Sequence, residues 1–509
     1  MAESKGRIEN ASMNTFWAIF SQGICVLLGL FSRKVFLDHL GAELLGVSSL
    51  FSDVLLLFSF ADLGVGTAIM FSMYRPIADN DDNKIQSLLL FYRDIYNYVM
   101  IALTILSVLF IPFLYTINTN INMLDLFIYY GLFQVGNILG YLWAYRYCYV
   151  VAIQKERVIT RINLFSTIIT TIVLILCVVM SENYLIYLIT SLLCTLITRI
   201  WTNSYITKHY SITKVSAAAQ LPKCEKKDIL RKSYALLVTK VGNLLINQTD
   251  SLVVSIMISV SQWGLASNYL VIKRSIFTIT DKIYSGILPS MGNLVASNNK
   301  QKELDVFLCY DFLNAWLHTF CFVALGTLST PFIALFFGEA VVLPYTFVFF
   351  FFLAAFVDGL RAPVSVLREA SGTFETDKWY TMVAAGVNLI VSFPLAYYLG
   401  LHGVFIGTIC AMTVLHIGRS WVLFREGNYK ITTYGYLKKV MLHILLGICL
   451  LLLLHFVSNI VDLFVGNIYI SFVFKLFAIL LLPNLIWICV YYRNPNFIFL
   501  VNQIKQYRR

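Results

Sequence analysis

Long apolar runs recur along the whole chain, and they constrain its fold more than any other feature. Each run is about 20 residues or longer, the length that an α-helix needs to cross the ~30 Å hydrocarbon core of a bilayer. A transmembrane β-barrel would instead show short segments of alternating polarity. The 509 residues are 59% hydrophobic and only 13% charged, whereas soluble domains are roughly a quarter charged. We therefore predict an all-α polytopic membrane protein with about fourteen transmembrane helices.

Polar breaks between the runs define the predicted spans. They lie near residues 14–36, 44–72, 87–115, 123–150, 158–180, 184–206, 233–259, 263–290, 304–337, 344–370, 379–399, 402–424, 438–458 and 469–492. The one sizeable polar insertion divides six spans from eight. We predict an N-terminal lobe at 1–206, a cytoplasmic linker at 207–232, a C-terminal lobe at 233–425, and a final helix pair with its tail at 426–509.

Basic residues predict the orientation of these spans. With an even number of spans both termini share one side, and the segments on that side carry about 25 Lys and Arg, whereas the opposite loops carry only Arg33 and Lys34. Both termini are therefore predicted to be cytoplasmic. The basic cytoplasmic segments account for most of the net charge of +11. The charge therefore does not indicate a nucleic-acid partner. The outward loops are too short to hold a catalytic domain.

The hairpin after the linker repeats features of the first hairpin. One constant offset separates Gly46 from Gly264, Tyr92 from Tyr310, and 78–80 from 296–298. We call this separation the repeat offset. A repeat of six helices preserves orientation, so the lobes would be related by an axis along the membrane normal, as in transporters with parallel repeats. We expect such lobes to enclose a central cavity.

Cations within the predicted spans are the main functional candidates, because a charge in lipid is costly unless it is paired, hydrated or near the headgroups. They are Arg93, Arg146, Arg199, Lys240, Lys273, Arg274, Lys282, Arg361, Arg368, Arg419 and Lys475. Six of these lie near span ends, where snorkelling to the headgroups is the simplest interpretation: Arg93, Arg146, Arg199, Arg368, Arg419 and Lys475.

Lys273 and Arg274 differ, because they fall near the middle of the eighth span. Either a distant acid pairs with them or they line a cavity that binds an anion. Arg361 is also deep, on a tenth span predicted as one continuous helix. Asp358, three residues earlier, is placed for a local ion pair, so part of this signal is structural. Cations outnumber acids across these helices, and the ligand of a central cavity should therefore be anionic.

A polar stripe runs along the seventh span, where Lys240, Asn243, Asn247 and Asp250 recur at spacings of three and four. Such a stripe faces a cavity or the other lobe, where amides hydrogen-bond across helices. Asp62 in the second span either couples transport to protons or sodium, or neutralises a cation.

The end of the fourth span is rich in aromatics, including Tyr141, Trp143 and Tyr147. They suit sugar rings, but an interfacial belt is the simpler interpretation. Motifs of nucleotide-binding and hydrolytic enzymes are absent, and the ten cysteines form no C-x-x-C pair. We predict no enzymatic activity, metal or cofactor.

The residues also resemble a known family. Leu40-Gly41-Ala42-Glu43, Leu45-Gly46 and the run 61–66 resemble the opening hairpin of Wzx-like polysaccharide flippases, and the runs 247–250 and 264–269 fit them too. This resemblance implies the multidrug/oligosaccharidyl-lipid/polysaccharide exporter (MOP) fold, with two six-helix lobes and a C-terminal helix pair. It implies a bacterial cytoplasmic-membrane protein that moves undecaprenyl-pyrophosphate-linked oligosaccharide to the outer leaflet for surface polysaccharide such as O-antigen or capsule.

The resemblance also implies roles for the deep polar residues. Cations would bind the pyrophosphate, and amides would hydrogen-bond sugar or phosphate. This substrate-binding set is Lys240, Asn243, Asn247, Lys273, Arg274, Lys282 and Arg361. Asp62, Asp250 and Asp358 would balance charge or carry coupling protons. A polysaccharide polymerase and glycosyltransferases are the implied protein partners.

Four alternatives stay open. A lipid II flippase is disfavoured because the first span lacks a deep arginine, Arg33 and Lys34 lying near its outer end. A drug or cation antiporter of the same fold would favour acids in its cavity. A membrane glycosyltransferase or polymerase would need a large outward loop. An envelope scaffold would leave the deep cations unexplained.

Overall fold

The computed structural model describes residues 2–58, 65–153, 155–213, 221–296, 299–371 and 374–499, and these ranges are helical apart from short turns, without a strand. The first eight α-helices are α1 Ala2–Phe58, α2 Val65–Ala78, α3 Asp82–Phe110, α4 Met123–Tyr141, α5 Ala144–Ala152, α6 Glu156–Ser181, α7 Tyr184–His209 and α8 Lys223–Met257. The other eight are α9 Val260–Ala296, α10 Lys300–Phe337, α11 Tyr345–Leu360, α12 Ala362–Ser371, α13 Phe374–Leu399, α14 Leu401–Glu426, α15 Thr433–Phe464 and α16 Ile468–Tyr491. The predicted all-α class is confirmed.

Within the described ranges, 11 helical segments are long and apolar enough to cross a membrane. The chain is therefore a multi-pass membrane protein. The predicted count of about fourteen spans stays a prediction. The polar stripe of α8, which includes Asn243, Asn247 and Asp250, makes that helix less apolar than the others.

The chain forms two compact units. Unit 1 is Met1–Gly264 and unit 2 is Leu265–Arg509. In unit 1, α1 packs against α4, α6 and α8, and α4 packs against α7. In unit 2, α10 contacts α11, α15 and α16, while α13 pairs with α14 along its length. The predicted lobe boundaries stay a prediction.

The break predicted between the first two spans is a kink at Gly41. This residue has φ 83° and ψ 172° inside the long helix α1. A left-handed backbone conformation of this kind costs glycine little, because it has no Cβ to clash with its own backbone. The chain can therefore change direction at Gly41 between two apolar runs.

The sequence repeat is present in the helices themselves. The start of α3 precedes the start of α10 by the repeat offset, and both ends of α6 precede those of α13 by the same offset. The N-caps repeat as well, since Asp81 accepts from the Lys84 amide at 3.0 Å and Asn299 accepts from the Lys302 amide at 3.0 Å. Such side-chain caps satisfy amides that have no partner within the helix. Equivalent residues therefore start equivalent helices.

Gly46 and Gly264, the first pair of the repeat, allow α1 and the start of α9 to approach closely in unit 1. A Cβ at Gly46 would fall on the backbone of Val260, and one at Gly264 would fall on the backbone of Ala42. Ala42 and Val260 are themselves related by the repeat offset. Small residues at helix crossings let backbones pack tightly in membranes, where no hydrophobic force drives association.

Two predicted spans contain a helix break that the sequence does not show, although 345–371 still forms one candidate membrane span. The predicted span 123–150 is divided into α4 and α5, with Leu142 and Trp143 between them, and Trp143 has a left-handed φ of 60°. The predicted span 344–370 is divided into α11 and α12 at Arg361. The starts of α5 and α12 are separated by the repeat offset. The breaks therefore belong to the repeat, and hydropathy does not reveal them because each predicted span is apolar on average.

The last two helices complete unit 2. Helices α15 and α16 pack against α10, where Trp316 Nε1 donates to Asn484 Oδ1 at 2.9 Å and the Trp316 and Trp487 rings stack. Lys475 is buried and forms an ion pair with Asp462 at 2.6 Å. The structure therefore shows Lys475 neutralised by an acid on α15 and not extended towards the headgroups.

Candidate functional site

Three of the predicted site positions cannot be placed. The side chains of Lys240 and Lys282, and the whole of Asp62, lie outside the described residues. On α8, Asn247 is exposed and its Nδ2 donates to the Asn243 carbonyl at 2.8 Å, whereas Asp250 is buried. The stripe predicted on this helix thus includes both a buried acid and an exposed amide.

Lys273 and Arg274 point in different directions from α9. The Lys273 ammonium lies 5.6 Å from the centre of the Phe351 ring and interacts electrostatically with Asp358. Arg274 is exposed. Lys273 therefore lies close to the charged groups of α11.

Arg361 occupies the break between α11 and α12. Its guanidinium forms an ion pair with Asp358, as the three-residue spacing predicted, and the two side chains are 14% and 26% exposed. The Arg361 Nε is buried without a hydrogen-bond partner. The break interrupts the helix that the sequence predicted to be continuous through Arg361.

A cavity of about 230 Å³ in unit 2 lies beside this ion pair. Polar side chains from α9, α10, α11 and α12 line it, namely Thr280, Asp281, Tyr284, Tyr310, Asn314, His318, Asp358, Arg361 and Ser365. Asn314 Nδ2 donates to the Gly359 carbonyl at 3.0 Å. The His318 ring occupies the space that a side chain at Gly359 would need. These contacts hold α10 against the end of α11.

Further cations surround the Arg361 break. Arg368 and Arg419 are only 4% and 2% exposed, so the predicted snorkelling is wrong for both. Arg419 donates to Thr381 Oγ1 at 3.1 Å. The buried His416 interacts electrostatically with Arg361, Arg419 and Asp358. Several basic groups therefore lie close to Asp358 at this point of unit 2.

A larger cavity, of about 620 Å³, lies in unit 1. Its polar and aromatic lining is Tyr92, Tyr96, Asn137, Tyr141, Trp143, Tyr147, Asn163, Arg199, Thr202 and Asn203. Aromatic residues of the α4–α5 break thus line a cavity, in addition to any place in an interfacial belt. Arg199 was predicted to snorkel, yet its guanidinium is part of this lining.

The two cavities are copies of one another. Eight of their lining positions correspond at the repeat offset. The pairs are Gly66 and Tyr284, Tyr92 and Tyr310, Tyr96 and Asn314, Gly140 and Asp358, Tyr141 and Gly359, Trp143 and Arg361, Ala144 and Ala362, and Tyr147 and Ser365. A repeat of this kind places equivalent backbone around each cavity and leaves the side chains free to differ.

The charges of the two copies are different. Unit 2 has Asp358 paired with Arg361, whereas unit 1 has Gly140 and Trp143 at the equivalent positions. Among the described residues, Arg199 forms no ion pair, and its Nη2 lies 3.7 Å from where a Cβ of Gly140 would be. Within that part of the chain, the cavity of unit 1 therefore holds a cation without an ion pair, and Tyr147 beside it donates to Glu156 at 3.2 Å.

The described His, Cys, Asp and Glu residues include no group of three or more that could hold a metal ion. Both cavities offer a cation, amides, hydroxyls and aromatic rings, and the unit 2 cavity adds the carboxylates of Asp281 and Asp358 and the imidazole of His318. These groups bind anions and sugars.

Comparison with known proteins identifies the fold. A structure described as the lipid II flippase MurJ in an inward closed conformation matches with a TM-score of 0.65 at 17% identity, over 94% of this chain and 99% of that chain. An inward-facing multidrug resistance MATE family transporter of the MOP superfamily matches with a TM-score of 0.62 at 14% identity, over 79% of this chain and 94% of that chain. The chain has the MOP fold.

The MOP fold is also shared by the MATE transporter VcmN of Vibrio cholerae in its bent form. That structure matches with a TM-score of 0.51 at 13% identity, over 83% of this chain and 99% of that chain. No protein-family model matches the sequence, and no curated protein matches it. The expected fold is thus confirmed, and the likeness is one of architecture.

Proposed function

We propose that the chain is a flippase that moves a polyprenyl-pyrophosphate-linked oligosaccharide from the inner to the outer leaflet of the cytoplasmic membrane. The observation that carries this proposal is the extent of the structural match. A lipid flippase covers 94% of the chain, whereas the inward-facing multidrug transporter covers 79%. The difference between these two coverages of the chain is comparable in length to residues 433–509, which contain the C-terminal helix pair α15 and α16.

The charges favour an anionic headgroup over a cationic drug. Arg199, Arg361 and Arg419 all lie beside cavities or in the interior of the helical units. A pyrophosphate is bound well by guanidinium groups, which form paired hydrogen bonds with its oxygens. We assign Lys273, Arg274 and Arg361 to the headgroup, with Lys240 and Lys282 as further candidates.

The experiment is reconstitution in proteoliposomes with a fluorescent polyprenyl-pyrophosphate oligosaccharide. Outward movement is measured as the rate at which an added lectin gains access to the glycan. We expect Arg274→Ala and Arg361→Ala to lower this rate about tenfold or more, equivalent to ~1.4 kcal/mol of lost stabilisation. Arg425→Ala is the matched control, because Arg425 is exposed at the end of α14 and stacks on Trp421.

Wild-type rates in both test variants would overturn the assignment of these cations. No movement of the glycan by the wild-type protein would overturn the proposed substrate. A lipid II flippase is the second candidate, since the structure with 94% coverage carries that description. Lipid II in the same vesicles decides between the two substrates by the ratio of their rates.

A further inference from the structure

The cavity of unit 1 is an open copy of a cavity that is neutralised from within in unit 2. Where unit 2 places Asp358 against Arg361, unit 1 has Gly140 and Trp143. Arg199 lies beside Gly140, with its Nη2 3.7 Å from the missing Cβ position. At the position equivalent to Asp358, unit 1 therefore has a glycine beside a guanidinium.

The Arg199 side chain is exposed, and it lines the unit 1 cavity. It precedes the end of α7 at His209 by ten residues, which is ~15 Å along a helix. No acid among the described residues pairs with this guanidinium, so water or an anion from outside solvates it. The 620 Å³ cavity provides the volume for either one.

The rest of the lining fits a sugar ring attached to the anion. Trp143 and Tyr147 provide apolar faces with polar edges, which suit the CH-rich face of a pyranose. Asn137 Nδ2 is buried without a hydrogen-bond partner, and Asn163 lines the same cavity. A buried amide donor without a partner is costly, and a sugar hydroxyl would satisfy that of Asn137. Pockets of ~300–1,000 Å³ are typical for small ligands.

We propose that the unit 1 cavity binds an acid-bearing sugar, whose phosphate or carboxylate pairs with Arg199 in the space left by Gly140. This deepens the proposed function, because it assigns part of the glycan headgroup to a cavity within one unit. Both a sugar phosphate and a uronic acid have the required chemistry. The first would be the pyrophosphate-linked end of the glycan, and the second a sugar within it.

The test is equilibrium binding to the full-length protein in nanodiscs, without transport. The probes are tritiated N-acetylglucosamine 1-phosphate, glucuronic acid and neutral N-acetylglucosamine. We expect at least one acidic probe to bind about tenfold more tightly than the neutral sugar, as charge-assisted pairing requires. The acidic probe that binds more tightly shows whether the cavity selects a sugar phosphate or a uronic acid. Equal binding of all three probes would overturn the proposal.

Gly140→Asp is the decisive variant, because it installs the carboxylate that unit 2 already has. The Gly140 site has room for a Cβ, and among the described residues Arg199 is its only neighbour within 4 Å. We expect Gly140→Asp and Arg199→Gln to weaken binding of the acidic probe tenfold or more, about the effect of one charged contact. Arg199→Lys should retain part of the affinity. Arg93→Gln is the matched control, since Arg93 lies outside the cavity beside Asp94.

Unchanged affinity in both Gly140→Asp and Arg199→Gln would overturn the site, leaving water as the group that hydrates Arg199. Size-exclusion profiles and melting temperatures show whether each variant is folded. Arg199→Lys keeps the proposal testable if Gly140→Asp does not fold. Binding is measured without flipping. A negative result here would therefore contradict the proposed site alone, whereas a negative result in the vesicle assay would contradict the proposed substrate.

Discussion

Replacing Asp358 by Asn removes the acid that holds Arg361 at the break between α11 and α12. The Asp358 and Arg361 side chains are 26% and 14% exposed, so the pair is mostly shielded from solvent. Arg361 Nε already lacks a hydrogen-bond partner. After the substitution, the remaining charge would lie among other cations, including the buried Arg419. We therefore expect a marked loss of stability.

The size of the loss can be estimated from the pair itself. Two unit charges ~4 Å apart interact by ~4 kcal/mol at an effective dielectric of ~20. Removing one partner of a buried pair typically costs ~3–5 kcal/mol, because the other charge stays buried. The partial exposure of both groups places the expected loss near the lower end, at ~3 kcal/mol.

The assay is equilibrium unfolding in mixed micelles with increasing SDS, followed by tryptophan fluorescence. A double-mutant cycle with Arg361→Gln should show that the double variant costs ~2 kcal/mol less than the sum of the single variants. Asp94→Asn is the control, because its pair with Arg93 is exposed and should contribute ~0–1 kcal/mol. Additive losses, or a loss from Asp358→Asn no larger than that of the control, would refute the reasoning.

Three further expectations concern the frame around the cavities. Gly264→Ala should destabilise the protein by ~1–3 kcal/mol, because the added Cβ would meet the backbone of α1. Gly23→Ala is the control, since Gly23 has open space around it. Equal melting temperatures of the two variants would contradict this expectation. Tyr429→Phe should cost ~1–3 kcal/mol, since the Tyr429 hydroxyl donates to the buried Glu303 at 2.7 Å, and an unchanged unfolding midpoint would exclude that role. Glu182→Gly should stabilise the protein by ~1 kcal/mol and so raise its melting temperature. Glu182 ends α6 with a left-handed φ of 48°, which glycine adopts at lower cost. An unchanged melting temperature would show that the position is unstrained.

The helical frame could be predicted from the sequence because it depends on local chemistry. Apolar runs long enough for a bilayer must form helices, since lipid offers no partner for backbone groups. The repeat was also visible, because Gly46, Gly264, Tyr92 and Tyr310 retain its spacing. The ion pair of Asp358 with Arg361 followed from residues three apart, which are neighbours on a helix surface.

The candidate site could be predicted only in part. Arg361 and Asp358 were found because a deep charge is visible in any hydropathy profile. Arg199 was assigned to the membrane boundary, because depth along a helix does not reveal what lies beside it. One signal was available: extending the repeat offset along the chain would have placed Trp143 on Arg361 and Gly140 on Asp358. The arrangement of the other lining residues depends on contacts between helices distant in sequence.

By itself, the sequence determined that this chain is an all-helical membrane protein with a duplicated core and cations away from the headgroups. These features follow from hydropathy, length and spacing, which act within single helices. Tertiary structure decided where α4 and α11 break, which side chains enclose a cavity, and which cations are neutralised. The physical reason is that neutralisation of a charge in a membrane depends on its neighbours in space, and Gly140 and Asp358 occupy equivalent places in two otherwise similar cavities.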